Sequence, residues 1–223
     1  MRFITIISFL LVLIPWDGFA KEFYFLGMED RHYENPANWY PAYPGSKIAK
    51  GDKVVIMADV NFGFYDISVG GIMEIAMNAQ MHSPQGKIMI QPEGLLDNNG
   101  QLMVEIVENN GQFFNRIAAT SHLHTYVAHP GAHTYNGYSA IFRTIGPLVN
   151  GGRFDNYSAC ISGSDFTNTA TFHQVRQSRL TVAGDMFLSP DCTFTQSADS
   201  RIYHGRVEKL IVEPQLPGGT DDR

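Results

Sequence analysis

The run Asn-Asn-Gly-Gln occurs twice, eleven residues apart, as Asn98-Asn99-Gly100-Gln101 and Asn109-Asn110-Gly111-Gln112. Each copy follows an acidic residue, Asp97 or Glu108, and precedes an apolar one, Leu102 or Phe113. Asn-Gly favours positive φ, because glycine lacks a Cβ and asparagine tolerates the left-handed region. Each copy therefore predicts a tight turn. The apolar residues between them predict a short strand. Turn and strand recurring at a fixed spacing point to a β-solenoid or another regular all-β stack.

The pattern extends in both directions. Glycine precedes an apolar run at Gly70-Gly71-Ile72, Gly86-Lys87-Ile88 and Gly94-Leu95. Beyond residue 146 the form returns at Asn150-Gly151-Gly152-Arg153-Phe154, Ser162-Gly163-Ser164-Asp165-Phe166, Ala183-Gly184-Asp185-Met186-Phe187 and Ser189-Pro190-Asp191-Cys192-Thr193-Phe194. In a solenoid the apolar residue after each turn points inward and stacks rung on rung. A β-sandwich, with the same spacing read as hairpins, is the alternative. The repeated turn chemistry favours a single-domain, all-β solenoid over residues 61–212. Residues 117–146 read as a His- and Tyr-rich interruption, a long loop or inserted hairpin. Leu210-Ile211-Val212 reads as the last strand, and residues 213–223 as a disordered tail.

The start of the chain reads as a signal peptide over residues 1–20. Arg2 leads an apolar run of twelve, Pro15 breaks it, and Gly18-Phe19-Ala20 supplies small residues before Lys21. The run is shorter than the ~20 residues of a membrane-spanning helix, and no later run is long enough. The expected location is secreted, extracellular or at the cell surface, or in a periplasm. A net charge of −6 argues against nucleic acid as a partner. The two cysteines, Cys160 and Cys192, are a candidate disulfide in such a compartment. A bridge would close a loop of about thirty residues and contribute ~3–4 kcal/mol. Two buried thiols are the alternative.

Residues 21–60 form a distinct unit. Phe23-Tyr24-Phe25-Leu26 predicts a strand, and Asn35-Pro36-Ala37-Asn38-Trp39 a proline-pinned turn with an aromatic over it. A Pro/Gly segment follows, and Gly51-Asp52 leads into the strand Lys53-Val54-Val55-Ile56. Such a unit can cover the open end of a β stack, which otherwise exposes unpaired backbone. Asn-Pro-Ala-Asn-Trp followed by Gly-Asp-Lys-Val-Val-Ile resembles the N-terminal motif of bacterial secreted β-helix proteins, adhesin-like and G8-like. The tryptophan usual a few residues before the Asn-Pro is absent here. The resemblance implies a right-handed β-helix, an extracellular location, and adhesion or carbohydrate contact.

Candidate chemistry concentrates in residues 117–146. His122, His124, His129 and His133 fall within twelve residues. On a strand His122 and His124 share a face, and with a third imidazole they would hold a divalent metal such as Zn²⁺. Tyr126, Tyr135 and Tyr138 are candidate ligand-binding aromatics for an extracellular carbohydrate or a surface protein. Asp155, Asp165, Asp185, Asp191 and Asp199, with Arg153, Arg176 and Arg179, are the groups from which a polysaccharide-cleaving site would be drawn. Nothing in their spacing pairs them, and aspartate is common in turns. Asn156-Tyr157-Ser158 is a glycosylation acceptor sequence. The expectation is a non-catalytic secreted or surface protein for structure or adhesion. The alternatives are a carbohydrate-binding or polysaccharide-degrading β-helix protein and a metal-binding module.

Overall fold

The strand Gln112–Asn115 buries Phe113 and Asn115 and turns Gln112 and Phe114 outward. That alternation is the period of a pleated strand with one face on a core. It is repeated in parallel register by Leu95–Asn98 before it and His133–Asn136 after it. A computed structural model describes residues 20–204 of the chain. These residues form a parallel β-solenoid of about 8 turns. Every ladder but one is parallel, which excludes the hairpin-built sandwich; the exception joins Glu22–Phe25 to Trp39–Tyr40. There is no α-helix among the described residues, only a 3-10 turn at Pro36–Asn38. Most of the expected signal peptide, the expected strand at Leu210-Ile211-Val212 and the tail lie outside them.

Each turn of the solenoid has three faces. Face 1 runs through Lys53–Ile56, Ile72–Ile75, Leu95–Asn98, Gln112–Asn115, His133–Asn136, Arg153–Asn156, Thr171–Gln174 and Thr193–Gln196. These strands begin at residues 53, 72, 95, 112, 133, 153, 171 and 193, so one rung takes 17 to 23 residues. Face 2 holds the first halves of the long strands Gln80–Ile90, Gln101–Asn109 and Thr120–Ala128, then Ile141–Thr144, Ala159–Ser162, Arg179–Val182 and Arg201–His204. Face 3 holds their second halves, then Leu148–Asn150, Phe166–Asn168 and Met186–Leu188.

The eleven-residue repeat is therefore not a rung. Gly100 stands at the corner from face 1 to face 2, and Gly111 at the corner from face 3 back to face 1 of the next rung. Neither glycine has positive φ. They are glycines because stacked corners touch: a Cβ on Gly100 would sit 2.3 Å from the Ala79 carbonyl oxygen, and one on Gly111 2.2 Å from that of Gln91. Among residues other than glycine, the left-handed conformation falls on Asn78, Ala118, Ser139 and Gln177. Each is the third residue of a four-residue corner between faces 1 and 2, closed by a backbone bond from the fourth residue to the first.

Inside, face 1 carries an asparagine ladder. Asn98 donates to Asn115 (2.9 Å), Asn115 to Asn136 (2.9 Å), Asn136 to Asn156 (2.8 Å) and Asn156 to Gln174 (3.1 Å). Each amide also donates to a face 2 carbonyl one rung on: Thr120, Ile141, Ala159, Arg179 or Arg201. The ladder thereby satisfies fully buried polar groups and ties consecutive rungs together. Beside it runs an aromatic core of Phe113, Tyr126, Phe142, Phe154, Phe172 and Phe194.

The N-terminal unit is pinned by Trp39 and Asn38. Trp39 packs edge-on against Phe25 and Tyr33 and donates from Nε1 to the Tyr33 carbonyl (2.6 Å). Asn38 is fully buried and accepts from the backbone of Glu29 and Asp30. The two-residue strand Trp39–Tyr40 thus forms a short edge on face 1, the kind of end that resists further strand addition.

Residues 117–146 are not an interruption. Thr120–Ala128, His133–Asn136 and Ile141–Thr144 continue the faces in register. Their histidines and Tyr135 disguise a rung, because outward positions accept any side chain, and Tyr126 fills an inward one.

Candidate functional site

The four histidines do not converge. His122 points outward on face 2, His124 stands at the corner to face 3, His129 opens the next corner, and His133 points outward on face 1. Twelve residues carry the chain around more than half a rung, so adjacency in sequence separates them in space. No group of three or more His, Cys, Asp or Glu able to hold a metal occurs among the described residues.

Tyr126 is not a surface platform either. It takes the inward position of face 3, between Val107 and Leu148, and is fully buried. Asn109 donates to its hydroxyl (3.1 Å), which also bonds the Thr134 hydroxyl. Thr134 is the small residue of the opposing face 1 column, where its rung neighbours are Phe113 and Phe154. That gap admits the tyrosine, and burial pushes its hydroxyl pKa well above the ordinary value.

The cysteines are free thiols. Cys160 lies in the face 2 core between Phe142 and Leu180, and burial pushes its thiol pKa up. Cys192 closes a corner before Thr193–Gln196. Asn156 is fully buried within the ladder, so the glycosylation acceptor is sequestered.

Tyr135 and Tyr138 do stand on the surface, and the rungs bring other residues to them. The outer side of face 1 stacks Asp97, Phe114, Tyr135, Asp155 and His173 in one column. Phe114 and Tyr135 meet at 6.1 Å between ring centroids, Tyr135 and Tyr157 at 5.2 Å, and Tyr157 and Tyr138 at 5.1 Å. His133 packs edge-on against Phe114 at 5.5 Å. Arg116 lies over the Phe114 ring at 4.7 Å and is held there by Asp97 through two bonds of 2.6 and 3.0 Å. The aromatic strip thus crosses three rungs on a rigid sheet.

One end of the strip is a polar hub. Asp155, its side chain only 6% exposed, accepts from His133 Nε2 (2.9 Å), His173 Nδ1 (2.8 Å) and Arg153 Nε (2.8 Å). Burial alone would raise the Asp155 pKa. The three hydrogen bonds and the Arg153 charge outweigh burial and bring it down to about 2. Asp155 is therefore an anion that orients two imidazoles. With those ring nitrogens donating to Asp155, His133 Nδ1 and His173 Nε2 are left to accept from a ligand hydroxyl, and Arg153 keeps further N–H groups to donate.

The hub does not assemble an acid–base pair. The next carboxylate in its column is Asp97, three strands away, ~14 Å at 4.8 Å per strand. Paired glycosidase carboxylates stand about 5–9.5 Å apart. Asp165 and Asp185 lie stacked at one corner, where Asp165 accepts from the Asp185 backbone (2.9 Å). Asp191 and Asp199 lie in other corners, and none of the four faces Asp155 across face 1.

His173 carried no mark in the sequence. It lies 18 residues after Asp155, one rung on, and only the rung length relates the two. Compared with protein-family models, curated proteins and solved structures, the chain gives no match in any of the three.

Proposed function

We propose that this protein is a non-catalytic extracellular module that adheres by laying a glycan chain along the outer side of face 1. The observation that carries the reading is the strip Phe114–Tyr135–Tyr157–Tyr138 running into the Asp155 hub. Aromatic faces stack on the apolar side of sugar rings, and the free imidazole nitrogens and Arg153 suit hydroxyl groups. The strip follows the solenoid axis and extends over several sugar-sized steps. A rigid sheet keeps these groups in place without an ordering cost on binding. Absence of a second carboxylate near Asp155 speaks for binding over cleavage. The leader-like start of the chain and its resemblance to secreted β-helix proteins support the extracellular setting.

The test is calorimetric binding of the mature chain to a panel of soluble bacterial and plant polysaccharides. At least one should bind saturably, release no new reducing ends, and lose affinity with Tyr135→Ala or Tyr157→Ala. A panel without a binder, or variants that bind like the parent, would overturn the reading.

A further inference from the structure

A second recess lies away from the aromatic strip, where face 2 turns into face 3. Its origin is a difference in corner length. In Gln80–Ile90 three residues, Pro84-Gln85-Gly86, separate the parts that pair with 104 and 106 of the next strand; that strand has only Glu105 there. The strand after it is equally direct, with His124 in place of Glu105. The following rung lengthens again to Ile145-Gly146-Pro147 between Thr144 and Leu148. Two short corners between longer ones leave a notch two strands wide, ~10 Å.

Its lining divides by chemistry. Pro84, Met103, Val104, Leu123 and Ile145 make an apolar floor and wall, with Ile145 62% exposed. Across one side, His82, Met103, His122 and Arg143 follow one another in an outward column. The ion pairs of the described residues engage Arg31, Arg116 and Arg153, but not Arg143. Glu105, the one acid in the notch, stands 3.5 Å from His124 Nδ1. Burial first, then the Arg143 charge, lowers the pKa of His122, so a neutral imidazole faces a bare guanidinium.

We propose that this notch binds a small monocarboxylate with a flat apolar body. The carboxylate pairs with Arg143 and accepts from His122, and the body lies over Met103 between Pro84 and Ile145. A planar guanidinium matches a carboxylate through two parallel hydrogen bonds. Glu105 disfavours a ligand of higher negative charge at the other end. The site is separate from the glycan reading and does not depend on it.

The experiment is an NMR titration of the mature chain with sodium benzoate, read at the His82, His122 and His124 rings, with benzyl alcohol and sodium sulfate as parallel probes. Benzoate should shift the His122 ring saturably and move its titration midpoint to higher pH, because the bound anion offsets Arg143. Arg143→Gln should weaken benzoate about tenfold or more, the loss of one charge-assisted pair. Ile145→Ser should weaken it by a smaller factor. Both side chains are exposed, so neither variant should disturb the fold, which circular dichroism checks. The proposal fails if saturating benzoate leaves His122 unmoved or if Arg143→Gln binds like the parent. It also fails if sulfate or benzyl alcohol gives the same shift at the same concentration.

Discussion

Tyr135 and Asn136 are neighbours in one strand, yet they meet opposite constraints. Asn136 points inward, where the rungs from Asn98 to Gln174 each place a side-chain amide bonded to the next, after Ile56 and Ile75 in the first two rungs. Tyr135 points outward, where the column changes from Asp97 to Phe114, Tyr135, Asp155 and His173. Within the ladder the inner column is uniform because a buried polar group without its partner is costly, and stacking supplies the partner only if consecutive rungs each contribute one. The outer column is free of that demand. Its clustering of aromatics around a shared carboxylate is not required by the solenoid, and it is the feature on which the proposed glycan binding rests.

Substitutions should separate the two sides, the inner ones costing stability and the outer ones binding. Phe154→Ala removes a ring stacked on Phe172 and edge-on to Phe142, and should destabilise by ~3–5 kcal/mol in chemical denaturation. Asn136→Ala leaves Asn115 and the Ala159 carbonyl short of a partner, and should cost about 1–3 kcal/mol. An unchanged midpoint there would remove the ladder from the account of stability. Asp155 couples the two sides. Its pKa falls from 3.8 to about 2 on folding, so the ionised group stabilises above pH 4 and that contribution is lost as pH falls towards 2. Asp155→Asn should therefore be less stable than the parent by about 1–2 kcal/mol at pH 6, with the difference closing by pH 2. Tyr135→Ala should change stability by about 1 kcal/mol or less and weaken glycan binding about tenfold. A larger loss of stability than of binding would make the strip mere packing. The smallest effect is at a corner: Ala118 has φ 61°, and Ala118→Gly should gain about 0.5–1 kcal/mol, less than the full left-handed penalty because glycine is more flexible unfolded.

Much of the fold was legible because corners leave chemical marks. The glycine at 111, the Asn-Gly pairs and the Asn-Pro-Ala-Asn-Trp unit each meet a steric or capping demand that few residues satisfy. The site was legible only in part. Tyr135 and Tyr138 stand on the surface, but Phe114, Tyr157 and His173 join them through register alone. The spacing of eleven measured corner to corner, and so hid the separations of 20 and 18 residues that stack Tyr135, Asp155 and His173. Rungs of unequal length blur any periodic signal. Polarity alone gives no hint that Thr134 leaves room for Tyr126 inside.

The sequence by itself determined an all-β chain of short strands with close-packed corners, because local backbone sterics and alternation act within a few residues. The tertiary structure alone decided which side chains meet. Neighbours across a parallel stack are a full rung apart in the chain, and the length of each rung is set by corners whose conformation depends on the rung beneath.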